Sequence, residues 1–263
     1  MPSGPTFVLR HVDLVTRQLA RLLPFYRDTL GLVARQPDAR TLTLHFSASA
    51  PAVITFTEDP AAREPAERVA GLFHIALLVP DRPTLAAVLA RLIEHRQPIE
   101  GLSDHGVSEA IYLSDPDGNG LEIYRDRPRA DWPMAGDRVA MFTRALDARG
   151  LLRELPAPPP AAPLALAALG HVHLSVTALE PAKKFYTGEL GLAVRQDDYP
   201  GAVFLAADGY HHHLAANTWG EPVPRGGAPL TGLAGFAAAT TRTETARTLT
   251  DPDGIRVTLE PLR

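Results

Sequence analysis

The chain contains no cysteine. Disulfides, thiolate metal sites and a cysteine nucleophile are excluded by that alone. Any metal held here must use imidazole and carboxylate, a donor set suited to Fe(II), Mn(II), Zn(II) or Ni(II). Lysine is nearly absent, occurring only at Lys183 and Lys184; arginine serves elsewhere, which reads as genome composition rather than function. No apolar run approaches the ~18 residues of a membrane span. The N-terminal Met1-Pro2-Ser3-Gly4-Pro5 has no charged region followed by an apolar one, so no signal peptide is expected and a cytoplasmic protein is. A strong charge of either sign is missing too. The net charge of −4 argues against a nucleic-acid binder. What remains is ordinary globular composition. The 263 residues are 45% hydrophobic and 21% charged, with 10 histidines, and are long enough for two domains.

The most informative stretch is Ser103–Tyr124. A loop-like Ser103-Asp104-His105-Gly106 leads into apolar Ala110–Leu113. Asp115-Pro116-Asp117-Gly118-Asn119-Gly120 follows, a strong turn signal. Leu121-Glu122-Ile123-Tyr124 then alternates as a strand does. This predicts a β-hairpin with His105 before the first strand, Tyr112 on it and Glu122 on the second. Glu122 points away from Leu121 and Ile123. On a covered face its carboxylate needs a partner, for which a metal ion is one candidate; on an edge strand it is simply a half-exposed glutamate.

The chain also repeats itself. Residues 11–36 and 171–196 align without a gap at a displacement of 160 positions, matching His11 with His171, Phe25-Tyr26 with Phe185-Tyr186, and Leu30-Gly31-Leu32 with Leu190-Gly191-Leu192. Each copy reads as a strand, an amphipathic helix and a glycine-terminated helix end. A weaker copy starts near Gly71 and closes with the hairpin. A fourth, shortened copy runs from Leu233 to the second DPDG at Asp251–Gly254. The reading is α+β: four βαβββ-like units in two domains of paired units, 6–125 and 169–263. Residues 126–168, with Pro156, Pro158, Pro159, Pro160 and Pro163, form the connection.

Paired βαβββ units, with Leu-Gly-Leu after the first helix and Asp-Pro-Asp-Gly before the last strand, resemble the vicinal oxygen chelate superfamily, which includes glyoxalases, bleomycin resistance proteins and extradiol dioxygenases. The resemblance implies that each pair of units curls into a half-open barrel with a metal in its concavity. His105, Ile111-Tyr112, Asp115-Pro116-Asp117-Gly118 and Glu122 further resemble the signature of type I extradiol ring-cleaving dioxygenases of the catechol-2,3-dioxygenase kind, departing only at Ser103. Carried over residue by residue, this implies His11, His74 and Glu122 as ligands of Fe(II), with Mn(II) also compatible. His105 is then the acid–base histidine and Tyr112 the hydrogen-bonding tyrosine. The substrates implied are an aromatic diol and O₂. A second active-site histidine that some relatives carry has no candidate near Asp59-Pro60-Ala61.

A competing cluster lies in Tyr210-His211-His212-His213, with His171 and His173. Alternation puts His211 and His213 on one face and His212 on the other. A second metal site is drawn from His171, His212 or His213, and Glu260. Against it, Gly235 stands where His74 does and Thr258 where Glu122 does. The expectation is that these histidines pack, hydrogen-bond or line a substrate entrance, with Trp219 and 220–232 forming a loop over it. The fold also carries other metal-dependent reactions, such as isomerisation and thiol transfer, and antibiotic-sequestering proteins that bind without turnover. A homo-oligomer is compatible with all of these readings.

Overall fold

The structure is a computed structural model and describes residues 4–65, 69–160, 162, 164, 167–226 and 229–262; Pro163 of the expected connection and the middle of the expected 220–232 loop lie outside them. Four units follow one another. The first comprises β1 (Phe7–Thr16), β2 (Val33–Asp38), β3 (Thr41–His45) and β4 (Ile54–Glu58), with helix α1 (Leu19–Pro24) after β1. The second comprises β5 (Gly71–Leu78), helix α2 (Arg82–Glu94), β6 (Gly101–Asp104), β7 (Ser108–Ser114) and β8 (Gly120–Asp126). Small elements of the connection come next: β9 (Met134–Ala135), β10 (Arg138–Val139), β11 (Arg144–Ala145) and helix α3 (Ala148–Leu152). The third unit has β12 (Ala168–Ser175), helix α4 (Leu179–Glu189), β13 (Ala193–Gln196), β14 (Ala202–Ala206) and β15 (Leu214–Asn217). Among the described residues, the fourth has only β16 (Gly232–Thr240), β17 (Arg247–Thr250) and β18 (Arg256–Pro261), and no helix.

Local chemistry explains the elements. Asp81 caps α2, its carboxylate accepting from the Thr84 N–H at 2.8 Å. The two aligned copies differ at one telling place. Pro24 occupies the position of Lys184, and there the first helix loosens into a π-turn over Phe25–Thr29, whereas α4 runs regularly to Glu189. Proline lacks the N–H that would close the α-helical ladder. The hairpin forms as its sequence predicts, with β7 and β8 antiparallel and Tyr112 directly opposite Glu122. The stretch expected as a loop before it is partly strand, because Ser103 and Asp104 belong to β6.

The strands make two large curled sheets. One runs β17-β18-β16-β1-β4-β3-β2 and the other β11-β6-β7-β8-β5-β12-β15-β14-β13. In both, the first strand of a unit lies parallel to that unit's last strand, and the sheet is completed by an antiparallel junction of two first strands, β1 with β16 and β5 with β12. The units are therefore paired first with fourth and second with third. This corrects the expected pairing within 6–125 and within 169–263, since each sheet crosses that division. One apolar core, containing Tyr26, Phe56, Ile75, Leu89, Ile123, Val172, Tyr186 and Phe236, joins the two sheets and their helices.

The Phe-Tyr and Asp-Pro-Asp-Gly repeats explain how sequential units stay docked. The buried Tyr26 hydroxyl donates to Asp115 Oδ2 at 2.9 Å, and Tyr186 donates to Asp251 Oδ2 at 2.6 Å. Each link joins a helical turn of one unit to the turn of the next. Asp115 also accepts from the Asp117 and Asn119 N–H groups and the Asn119 amide, all at 2.9 Å. Tyr26→Phe removes one donor from this buried carboxyl. It should cost about 1–3 kcal/mol, measurable as a lowered urea midpoint with an unchanged slope.

Candidate metal centre

Three adjacent strands, β8, β5 and β12, build the centre. Ala76 on β5 pairs with Glu122 on one side and with His171 on the other. His74 lies two residues before Ala76 and so shares its face. The alanine methyl leaves room above it, where three longer side chains converge. His74 Nε2 lies 2.9 Å from Glu122 Oε2, His171 Nε2 lies 3.1 Å from the same oxygen, and the two nitrogens are 3.2 Å apart. All three side chains are buried.

These spacings fit a divalent metal. Two donor atoms about 2.1 Å from a metal and at right angles are about 3.0 Å apart. These three residues could hold such a metal on one side, as a two-histidine-one-carboxylate set would. Two imidazole lone pairs facing each other at this distance repel unless a proton or a cation lies between them. Burial pushes the His171 imidazole down to about 4, against the pull of Glu122. Burial acts to raise Glu122, but the facing His171 and His74 outweigh it and hold the carboxyl well below its usual range. Neutral imidazole and ionised carboxylate are the states that bind metal. His171 Nδ1 is buried without a hydrogen-bond partner, so this ring lacks the outer acceptor that most metal-bound histidines have.

His11 is not part of this trio. It lies on β1 in the other sheet, where its ring contacts the Ala52 carbonyl and Asp13 Oδ1, both at 3.1 Å. The register shows why it looked like a ligand. In one sheet His171 faces Ala76, which faces Glu122; in the other, His11 faces Ala237, which faces Thr258. Gly235 takes the place of His74, paired with Asp13 as His74 is with His173. The first sheet therefore keeps one histidine of a set whose other members are glycine and threonine. His11 and His171 are equivalent, and the pairing of units decides which of them meets His74. The competing set is corrected by the same pairing. Glu260, on β18 opposite Ala239, is in the sheet with His11 and away from His171.

His74 and Glu122 of the trio line a cavity of about 250 Å³. His105, Tyr112, His173 and His212 supply further polar lining, and Phe73, Phe204 and Trp219 supply flat apolar walls. His105 Nδ1 lies 2.9 Å from the Phe142 carbonyl, which can only accept, so this nitrogen carries the proton. Its Nε2 then accepts from the Tyr112 hydroxyl at 2.8 Å. Burial and the nearby Glu122 carboxylate raise Tyr112 well above its usual range, so it stays protonated. Gly106 makes the turn that aims His105 inward. Its φ is +77°, and a Cβ there would meet the Phe142 ring at 2.7 Å, a conformation and a space open to glycine.

Two further parts of the cavity come from outside the hairpin. His212 comes from the third unit and reaches the cavity, its ring centroid 4.0 Å from that of His171. Burial holds it well below the usual imidazole range. The connection supplies another wall through Met141, Phe142 and Thr143. The Gln196 amide anchors it, accepting from Met141 N–H at 3.0 Å. Trp132 and the apolar run at 139–142 were the available signal, hidden by the prolines downstream. Trp219 lines the cavity as expected, while Val223 and Leu230 bridge to Val69 and Arg63.

His213 and His211 are not among the residues that line this cavity. His213 lines a second cleft with Phe7 and Tyr210, and its Nδ1 accepts from the Ala207 N–H at 3.2 Å. Burial pushes it down to about 4. Its unfolded value is ~6.5, so the unfolded chain binds the proton first as pH falls. The stabilisation is complete above pH ~6.5 and is lost toward pH 4, amounting to on the order of 3 kcal/mol. Urea titrations of metal-free protein at pH 7 and pH 4.5 should show His213→Gln losing less stability on acidification than the parent. Equal losses would count against this role.

With the fold and the site described, the chain can be compared with known proteins. The pattern of the glyoxalase/bleomycin resistance protein/dioxygenase superfamily matches residues 8–123 and 168–250. The chain belongs to that superfamily. It is 41% identical over 212 residues to a catechol-2,3-dioxygenase of Bacillus subtilis (strain 168), covering 80% of this chain and 74% of that one. Its fold is similar to that of a Bacillus subtilis protein assigned as a dioxygenase, with a TM-score of 0.64, 14% identity, and 98% and 86% of the two chains covered. Glyoxalase I from Zea mays is also similar, with a TM-score of 0.57, 17% identity, and 97% and 92% covered. Both superfamily segments contribute to the trio, His74 and Glu122 from the first and His171 from the second.

Proposed function

We propose that this protein is an Fe(II)-dependent extradiol dioxygenase that opens a catechol-type ring with O₂. The observation that carries the reading is the trio of donor atoms within 3.2 Å, two of whose members, His74 and Glu122, line a cavity with His105, Tyr112 and His212. The 41% identical catechol-2,3-dioxygenase supports the reaction class. His74, His171 and Glu122 would hold the metal. When bound, Fe(II) would supply the redox chemistry.

The protein's own residues do the rest. Phe73, Phe204 and Trp219 enclose a planar apolar ring and exclude water around it. The bare Nε2 of His105 accepts a proton from a substrate hydroxyl that takes the place of Tyr112 as donor, and later returns it. Tyr112 then donates its hydrogen bond to a substrate oxygen. His212, on the third-unit side, supplies a further imidazole next to the centre. Manganese is compatible with the same donors. Anaerobic loading with Fe(II), followed by oxygen uptake and a yellow ring-fission product across a catechol panel, tests the reading. Metal binding with no oxygen uptake on any catechol would refute it. Full catechol binding by chelated protein without turnover would point instead to a sequestering protein.

A further inference from the structure

His212 reaches the cavity, but its own position does not decide which ring nitrogen carries the proton. The residues behind it do. His211 Nδ1 lies 2.7 Å from His212 Nδ1, and His211 Nε2 lies 2.8 Å from Asp126 Oδ1. His211 has no exposed surface, whereas Asp126 is partly open. Asp126 sits on β8 four residues after Glu122, so the strand that supplies the carboxylate ligand also anchors this chain of contacts on the same face.

We propose that Asp126, acting through His211, is a positioning residue that fixes the tautomer and orientation of His212. The inference rests on the dioxygenase reading only for its consequence in turnover. A carboxylate oxygen can only accept, so His211 Nε2–H donates to it. With one proton on the ring, His211 has a bare Nδ1, which can only accept. In that arrangement His212 Nδ1 is the donor. Its Nε2 is left without a proton, as a free acceptor. Packing alone accounts for a buried His211, but not for a donor sequence that starts at a carboxylate and ends at a cavity residue.

The anchor is itself braced. Asp126 Oδ1 also accepts from the Tyr210 hydroxyl at 3.2 Å, and Tyr210 is 2.8 Å from the fully buried Tyr124 hydroxyl. Gly170 leaves the space that this hydroxyl occupies, since a Cβ there would lie 2.0 Å from it. The Trp132 ring closes over His211 at 5.2 Å between centroids. Rigid second-layer partners of this kind keep an imidazole in one productive state.

Long-range ¹H–¹⁵N correlation spectra of histidine-labelled, Zn(II)-loaded protein read the tautomers directly. The parent should show His211 protonated at Nε2 and His212 at Nδ1. A His212 protonated at Nε2, or a doubly protonated His211, overturns the proposal without any variant. In Asp126→Leu, His212 should lose its single tautomer, and Asp126→Glu should restore it. In the Fe(II) enzyme, Asp126→Leu should lower kcat by about 10–100-fold, with metal content and KM little changed. An unaltered His212 tautomer in Asp126→Leu also overturns it. If the parent cleaves no catechol, the dioxygenase reading fails, while the tautomers still decide this inference.

Discussion

His105→Asn is expected to keep its metal and bind catechol while ring cleavage slows by about 10²–10⁴-fold. The expectation follows from where the protons lie. The Phe142 carbonyl fixes a proton on His105 Nδ1 at 2.9 Å, which leaves Nε2 as the acceptor facing Tyr112 at 2.8 Å. Asparagine can copy one hydrogen bond but has no ring nitrogen to take up and return a proton. His105 is outside the candidate trio of His74, Glu122 and His171, so metal content should not change. Tyr112→Phe should lose less, because one hydrogen bond to substrate is worth ~0.5–1.5 kcal/mol. Single-turnover kinetics with metal quantified in the same samples check both variants. Normal turnover by His105→Asn, or loss of its metal, would remove it from the acid–base role.

The second large effect concerns Glu122→Gln. The substitution preserves shape and removes the charge that two imidazole nitrogens face at 2.9 and 3.1 Å. Outer-layer partners of metal ligands already cost about 10–100-fold in affinity when lost, so replacing an ionised ligand should cost at least ~100-fold. Competition with a chromophoric chelator measures this directly. An affinity within a few-fold of the parent would show that Glu122 is a structural carboxylate paired with its histidines.

Much of this architecture is legible in the sequence. The hairpin is, because a turn as strong as Asp115–Gly120 leaves its flanking strands little choice of register. Tyr112 and Glu122 therefore fall opposite each other as alternation requires. The equivalence of His11 and His171 is legible too, in a gapless repeat. The partnership of the units is not. A repeat shows which strands are alike, whereas sheet pairing depends on which first strands meet edge to edge, and every unit offers the same edge. That ambiguity put His11 in the place His171 occupies. The connection misled in a different way: its prolines at 156–160 dominate the composition, while residues 141–143, which close the cavity, carry no motif. His212 was visible only as one of a run of three histidines. A side chain outside a regular strand takes its direction from partners such as Asp126 and His211, far apart in sequence.

The pairing of the second and third units around one metal is the central claim, and metal content in two single variants tests it most directly. His171→Ala and His11→Ala should be purified in parallel, loaded with one equivalent of Fe(II) or Mn(II) under anaerobic conditions, and passed through a desalting column before elemental analysis. The account predicts that His11→Ala retains one metal per chain, as the parent does, and that His171→Ala retains almost none. Metal retained by His171→Ala and lost from His11→Ala would contradict it.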